Sequence, residues 1–380
     1  MPRKTGNLSV KILHLLAVAW GCQHSLAFQV LNPGRAPRNI HAKSVIRIQQ
    51  NSYSLGTARQ RLPTVLAQGT GTSEVQVPVS EGVSAATNTE KPRFALMDWI
   101  ARAYRRFIIC LTGFIFVILL RVLNRTKIHN YETLEKLMLE REEGKGLFSY
   151  SNHHSMLDDP GLPALMMPWL TMPWKKMRWN LCNDAMYFVH PVLTHIFRLG
   201  KGLPIKRTQG PNQQYLKDFM LKLENKDWCH IFAEGKINQP WRFEKDEPHL
   251  GDFRIGPAKI LSHLSESPIC LPIYHVGFHD ILPEKQVKDP KTGKMKKKGA
   301  SVPISPIPRI GHTIDIFIGE PFDVSPFIQK FKNLETSDEV TWEDDKAYRE
   351  IQDELTLFLR SKLLEVEEKA RPALYGEAAC

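Results

Sequence analysis

The stretch Leu147-Phe148-Ser149-Tyr150-Ser151-Asn152-His153-His154-Ser155-Met156-Leu157-Asp158-Asp159-Pro160 decides the fold. Residues 147–150 read as a short buried strand, cut off from the preceding helical pattern by Gly144 and Gly146. Asp159-Pro160 reads as a helix N-cap with proline at the first helical position. His153 therefore falls just beyond a strand end, where open α/β sheets hold their ligands. A histidine held by a carboxylate can take a proton from an alcohol and make it a nucleophile. On a continuous helix, residues five apart diverge, so pairing His153 with Asp158 needs a turn between them. His154 and Asp159 share that spacing; if Asp159 caps the helix, Asp158 is the partner left over, which favours His153. A metal reading of the two histidines and two aspartates lacks a further ligand cluster of recognised spacing, so no metal is assigned.

Outward from this stretch, the pattern continues in the same class. Tyr131 to Glu143 carries leucines at helical spacing, Trp228–Phe232 and Ile269–Tyr274 read as buried strands, and Thr313–Gly319 alternates like a half-buried late strand. Strands separated by helical patterns imply an α/β fold with helices flanking the sheet. An amphipathic helix with acids in its first turn is expected over about Thr341 to Ala370, packed onto the domain. Two further polar clusters accompany strand ends. Gly200 to Arg207 places Gly202 where backbone can approach a ligand and Arg207 where a guanidinium can grip phosphate. In Glu234-Gly235-Lys236, the carboxylate can bind acceptor hydroxyls, and the amide and ammonium can meet phosphate.

The net charge of +11 suggests a nucleic-acid partner until its distribution is considered. Residues 1–73 hold nine Lys or Arg and no acid, and the remainder is nearly balanced, so no nucleic-acid face is expected. Residues 1–68 read as a targeting leader, either one mitochondrial presequence or a signal-plus-transit leader of the plastid type. Residues 69–90 read as a linker, and 91–130 as a membrane-inserting segment. Its Phe107–Leu120 run is fourteen uncharged residues flanked by arginines, short for a span and suited to one-leaflet insertion. The site is expected in a domain over 131–335, with 336–380 as the C-terminal helix and tail. Lys285 to Lys298 carries seven lysines against one aspartate, either a solvated loop or a contact with anionic lipid. The six scattered cysteines form neither a zinc nor a disulfide framework.

Taken together, Asn152-His153 with Asp158, Gly200 through Arg207, and Phe232 through Gly235 resemble the ordered motifs of the glycerolipid acyltransferase superfamily. Lys236-Ile237-Asn238, Met177-Arg178-Trp179 and His275-Val276-Gly277 resemble its tafazzin branch. The similarity covers about residues 125 to 335. It selects His153 over His154, adds Asn152 to the site, and implies a mixed, largely parallel sheet flanked by helices. It also implies a membrane-bound enzyme moving acyl chains between a phospholipid and a lysophospholipid on an anionic membrane, with no cofactor. Acyl-CoA as donor, and a non-catalytic lipid-binding role, are the alternatives. In tafazzins the activity remodels cardiolipin on mitochondrial membranes, which places mitochondrial membranes ahead of plastid ones here. The chain departs from the motif at Ala233, where proline is usual, and the lysine loop and basic leader are not general family features.

Overall fold

The computed structural model describes residues 91–168, 173–206, 209–210, 212–244, 247–286, 301–334 and 346–375. The leader, the linker, Arg207 and most of the lysine-rich segment lie outside the described residues.

In chain order the strands are β1 (Arg125–His129), β2 (Leu147–Ser151), β3 (Trp179–Asn183), β4 (Gly202–Ile205), β5 (Trp228–Phe232), β6 (Ile269–Val276), β7 (Glu284–Gln286), β8 (Ser301–Pro303) and β9 (Thr313–Ile318). The helices are α1 (Lys91–Val117), α2 (Tyr131–Leu139), α3 (Asp158–Met166), α4 (Asp184–Tyr187), α5 (Pro191–Leu199), α6 (Gln214–Glu224), α7 (Gly256–Ser262), α8 (Phe278–Ile281), α9 (Ser325–Leu334) and α10 (Lys346–Tyr375). Seven strands form one sheet in the order β1-β9-β6-β2-β5-β3-β4, and β7 pairs with β8 separately. All pairings in the large sheet are parallel except β6 with β9. This is the mixed, largely parallel architecture expected from the sequence.

Central strands covered on both faces need near-continuous apolar runs, and β2 and β5 are buried at every position. Their polar members are accounted for inside the sheet. Trp228 Nε1 donates to Ser149 Oγ at 2.7 Å, and Ser149 Oγ lies 2.9 Å from His230 Nδ1. His230 Nε2 lies 3.3 Å from Ser151 Oγ, which donates to the Asn152 carbonyl at 3.0 Å. Burial holds His230 well below the usual imidazole range, so the neutral ring accepts at Nδ1 and donates at Nε2.

Three expectations are corrected. The membrane-inserting segment expected over 91–130 stops short of β1, an edge strand that pairs with β9 from Arg125 onward. The helix expected to Glu143 ends at Leu139. Asp159 is not an N-cap: α3 begins at Asp158, with Leu157 in the cap position. The competing interaction is tertiary, because Asp159 Oδ1 accepts from Asn180 Nδ2 at 2.7 Å. The C-terminal helix packs onto the domain, as expected. It starts at Lys346 and buries Leu355, Leu359, Leu363, Val366 and Ala370 in the same core cluster as Tyr150 and Tyr274 of β2 and β6. These positions recur every three or four residues, the spacing of one helical face.

Among the described residues Cys182, Cys229 and Cys270 are buried thiols.

If α10 belongs to the core, Leu359→Ala should destabilise the protein by about 2–5 kcal/mol through cavity formation. Urea unfolding measures this, and a loss below about 1 kcal/mol would remove the helix from the core.

Candidate active site

Because β2 and β5 run parallel and in register, Ser151 opposite Phe232, the segments following them emerge side by side. His153 and Glu234 are thereby brought to one sheet edge. Between His153 and Asp158 the chain makes the required turn: Asp158 N donates to Ser155 O at 3.1 Å, and Leu157 N to Ser155 Oγ at 3.2 Å. His153 Nδ1 then lies 2.9 Å from Asp158 Oδ2, with both side chains buried. A carboxylate only accepts, so Nδ1 carries the proton and proton abstraction falls to Nε2. The ring stacks on Phe232, centroids 4.2 Å apart.

Asp158 Oδ2 also accepts from the backbone amides of His154 at 2.7 Å and Ser155 at 2.9 Å. Burial raises the carboxyl to about 6, opposed by the nearby His275 and by these amides. Its Oδ1 is buried without a hydrogen-bond partner. His154 is excluded as the base by its own geometry. Its Nε2 donates to the His249 carbonyl at 2.9 Å, its ring lies among Tyr274, His275 and His279, and burial holds it well below the usual imidazole range.

Glu234 is placed differently from the expectation that it faces acceptor hydroxyls. It is fully buried. Oε1 accepts from His153 N at 2.9 Å, while Oε2 accepts from Asn238 Nδ2 and from Gly251 N at 3.0 Å. The carboxylate braces the histidine loop, and burial raises it to about 7. Gly235 sits at φ +63 and its amide donates to Phe232 O at 3.0 Å, closing the turn rather than addressing phosphate. A Cβ there would come within 2.7 Å of Arg254 Cγ. Lys236 is exposed beside them.

Asn152 is also internal. Its Nδ2 donates to His275 O at 2.7 Å and its Oδ1 accepts from His275 N at 2.9 Å, pinning the end of β2 to β6. Gly202 opens β4, level with Asn180 rather than at the C-terminal ends of the strands, and a Cβ would meet Phe197 O at 3.0 Å. β4 ends, like β2 and β5, at the edge that carries His153, and Arg207 follows it outside the described residues. Ala233, where the resembling motif has proline, uses the hydrogen that proline lacks. Its N donates to Ser151 O at 3.3 Å and its O accepts from Arg254 N at 2.9 Å, so the turn is tied on both sides.

Sequence reasoning missed His275 as part of the site. Its Nε2 donates to Asn152 O at 3.0 Å and lies 3.7 Å from Asp158 Oδ2. The His275-Val276-Gly277 resemblance was the available signal, but nothing in spacing linked residues 152 and 275.

Residues 125–305 match the Acyltransferase family. The chain is an acyltransferase. Among its relatives, N-acylphosphatidylethanolamine synthase of Arabidopsis thaliana is 29% identical over 242 residues, 62% of this chain and 78% of that protein. Tafazzin of Drosophila melanogaster is 25% identical over 273 residues, 68% of this chain and 66% of its own length. Tafazzin of Saccharomyces cerevisiae is 25% identical over 263 residues, 60% of this chain and 65% of its own length. The acyltransferase thus spans just under two thirds of the fly and yeast proteins. The stretch Met97–Val122, which takes in most of helix α1, is long and apolar enough to cross a membrane.

The bracing assigned to Glu234 is testable at pH 8, where the carboxylate is ionised. Glu234→Gln would turn an amide N–H toward one of three existing donors. It should cost about 1–3 kcal/mol of stability, read from urea midpoints. Unchanged stability would remove Glu234 from the support of the loop.

Proposed function

We propose that the acyltransferase is a membrane-bound phospholipid–lysophospholipid transacylase that remodels phospholipids such as cardiolipin. The observation that carries this reading is the buried His153–Asp158 pair at the strand edge, on a chain similar to proteins named tafazzin. His153 Nε2 takes the proton from the lysophospholipid hydroxyl, and Asp158 stabilises the resulting imidazolium. The alkoxide attacks an ester carbonyl of the donor phospholipid to give a tetrahedral oxyanion. Collapse breaks the bond to the donor's glycerol oxygen, which takes the proton back from His153 and leaves as a lysophospholipid. The exchange needs neither water nor CoA. Lys236, and Arg207 beyond β4, are assigned to the lipid phosphates.

Helix α1 supports one-leaflet insertion over crossing. Tyr104 OH lies 3.1 Å from His195 Nε2, the Arg105 guanidinium sits 4.2 Å above Trp174, and Ile109 and Phe116 pack against the core. Leu119 and Leu120, just beyond, are fully buried. A helix held along the domain on one side offers lipid its outer face, where Ile100, Phe107, Leu111 and Phe114 are exposed at helical spacing. The acid-free leader and the tafazzin relatives favour mitochondrial membranes.

A second reading rests on the plant relative, whose name specifies N-acylphosphatidylethanolamine synthesis. In it the acceptor is the amine of phosphatidylethanolamine, and the same base serves. The full chain in mixed micelles with acyl-labelled phosphatidylcholine and a lysophospholipid separates the readings. Label on the lysophospholipid without CoA, lost in His153→Ala, is the expected result. Label on the amine of added phosphatidylethanolamine would favour the second reading, and transfer only from acyl-CoA would overturn both. Asp158→Asn should lower the rate less than His153→Ala.

The pH dependence follows from Asp158. Its carboxyl must be ionised to stabilise the imidazolium, so the rate should fall as pH drops through about 6. A rate at pH 5 equal to that at pH 8 would remove the charged carboxylate from the mechanism.

A further inference from the structure

Ile304, Ile307 and Ile310 stand exposed at 53%, 48% and 55% in the segment between β8 and β9. The segment is not loose. Ile304 N donates to Pro283 O at 2.8 Å, and Arg309 N to Ile281 O at 2.7 Å. Asn124 Nδ2 donates to Arg309 O at 3.2 Å and its Oδ1 accepts from His312 N at 2.9 Å, while Gly311 N donates to Leu123 O at 2.9 Å. Pro306 and Pro308 restrict it further. A backbone fixed this firmly holds three isoleucines in water at a hydrophobic cost that burial elsewhere would remove. The pins run to Leu123 and Asn124, a short turn beyond the end of α1, next to Val122, which is 71% exposed. The exposed cations Arg125 and Arg309 flank the same patch.

We propose that Ile304, Ile307 and Ile310 form a second lipid-contacting site, inserted into the same leaflet as the outer face of α1. Arg125 and Arg309 meet anionic headgroups around it. The proposal rests on the membrane reading of α1 given above. A bilayer is the occupant that fits, because the patch continues an apolar helix face and is rimmed by cations. The site is also wired to the catalytic loop. Ile304 is bonded to Pro283, and the next residue, Glu284, accepts from Met156 N at 3.3 Å through Oε1 and donates its amide to Gln239 Oε1 at 3.0 Å. Asn238, adjacent to Gln239, donates its amide to His153 O at 2.7 Å. Lipid contact at the isoleucines thus sets the height of His153 over the leaflet that supplies its substrates.

The test uses the full chain with Cys22, Cys110 and Cys380 replaced by serine. An environment-sensitive fluorophore is attached in turn through Ile307→Cys, Phe107→Cys on α1, and Leu357→Cys on the exposed face of α10. Vesicles are phosphatidylcholine with phosphatidylglycerol, with nitroxide-labelled lipid as quencher. Blue-shifted, quenched emission at Ile307 and Phe107, with Leu357 unchanged, is the expected result. Quenching at Phe107 alone overturns the isoleucine site and leaves the α1 reading standing. Quenching at neither overturns the membrane reading itself. A blue shift at Ile307 that needs no vesicles and grows with protein concentration makes a second copy of the chain the occupant, against the proposal. In parallel, the triple variant Ile304→Ser, Ile307→Ser, Ile310→Ser should bind the vesicles about 10-fold more weakly with an unchanged melting temperature. Wild-type binding by that variant would also overturn the site.

Discussion

One oxygen atom, Asp158 Oδ2, organises the site. It receives a ring nitrogen and two backbone amides, and these bonds dictate the turn that separates a histidine from an aspartate five residues on. Such a centre exists only if its surroundings are rigid, because a buried carboxylate gives up its hydration. The rigidity comes from long-range pins: Glu234 on the amide of His153, and Asn152 on both backbone groups of His275. The residues nearest the chemistry therefore divide into one pair poised to react and a larger set that holds it still.

That arrangement taxes the fold. Asp158 and Glu234 both have carboxyls raised by burial, so the folded chain holds protons that the unfolded chain would release. Linkage then makes both groups increasingly unfavourable to folding as pH rises from about 4 to about 7. The compensation lies in apolar burial, including the strip of α10 that covers the middle of the sheet. Stability and chemistry are thus drawn from different parts of the chain.

Much of the architecture was legible in the sequence because apolar runs of strand length are local signals. β2, β5 and β9 fall where Leu147, Trp228 and Thr313 begin such runs. The His153–Asp158 pairing was legible too, since its partners lie five residues apart. What escaped depended on distant contacts. Asp159 looks like a helix cap until Asn180 claims its carboxylate. Glu234 looks available to ligand until His153, Asn238 and Gly251 surround it. β1 hides in a charged stretch after an apolar helix, and only its pairing with β9 makes it a strand. A turn signal shows where a chain bends and says nothing about which way its side chains face.

The pairing of Arg125 with Thr313 joins the first strand of the sheet to the last across almost the whole domain. Closing so long a loop must precede the gain from the contact, so sheet completion is a late and slow event in folding. During synthesis, β2 to β6 emerge before β9 and the covering helix, so their flanking edge stays open in the interval. An unfinished product exposes strand edges and apolar surface together, the combination that invites aggregation. The nascent chain therefore has most need of a chaperone between the emergence of β6 and that of the covering helix.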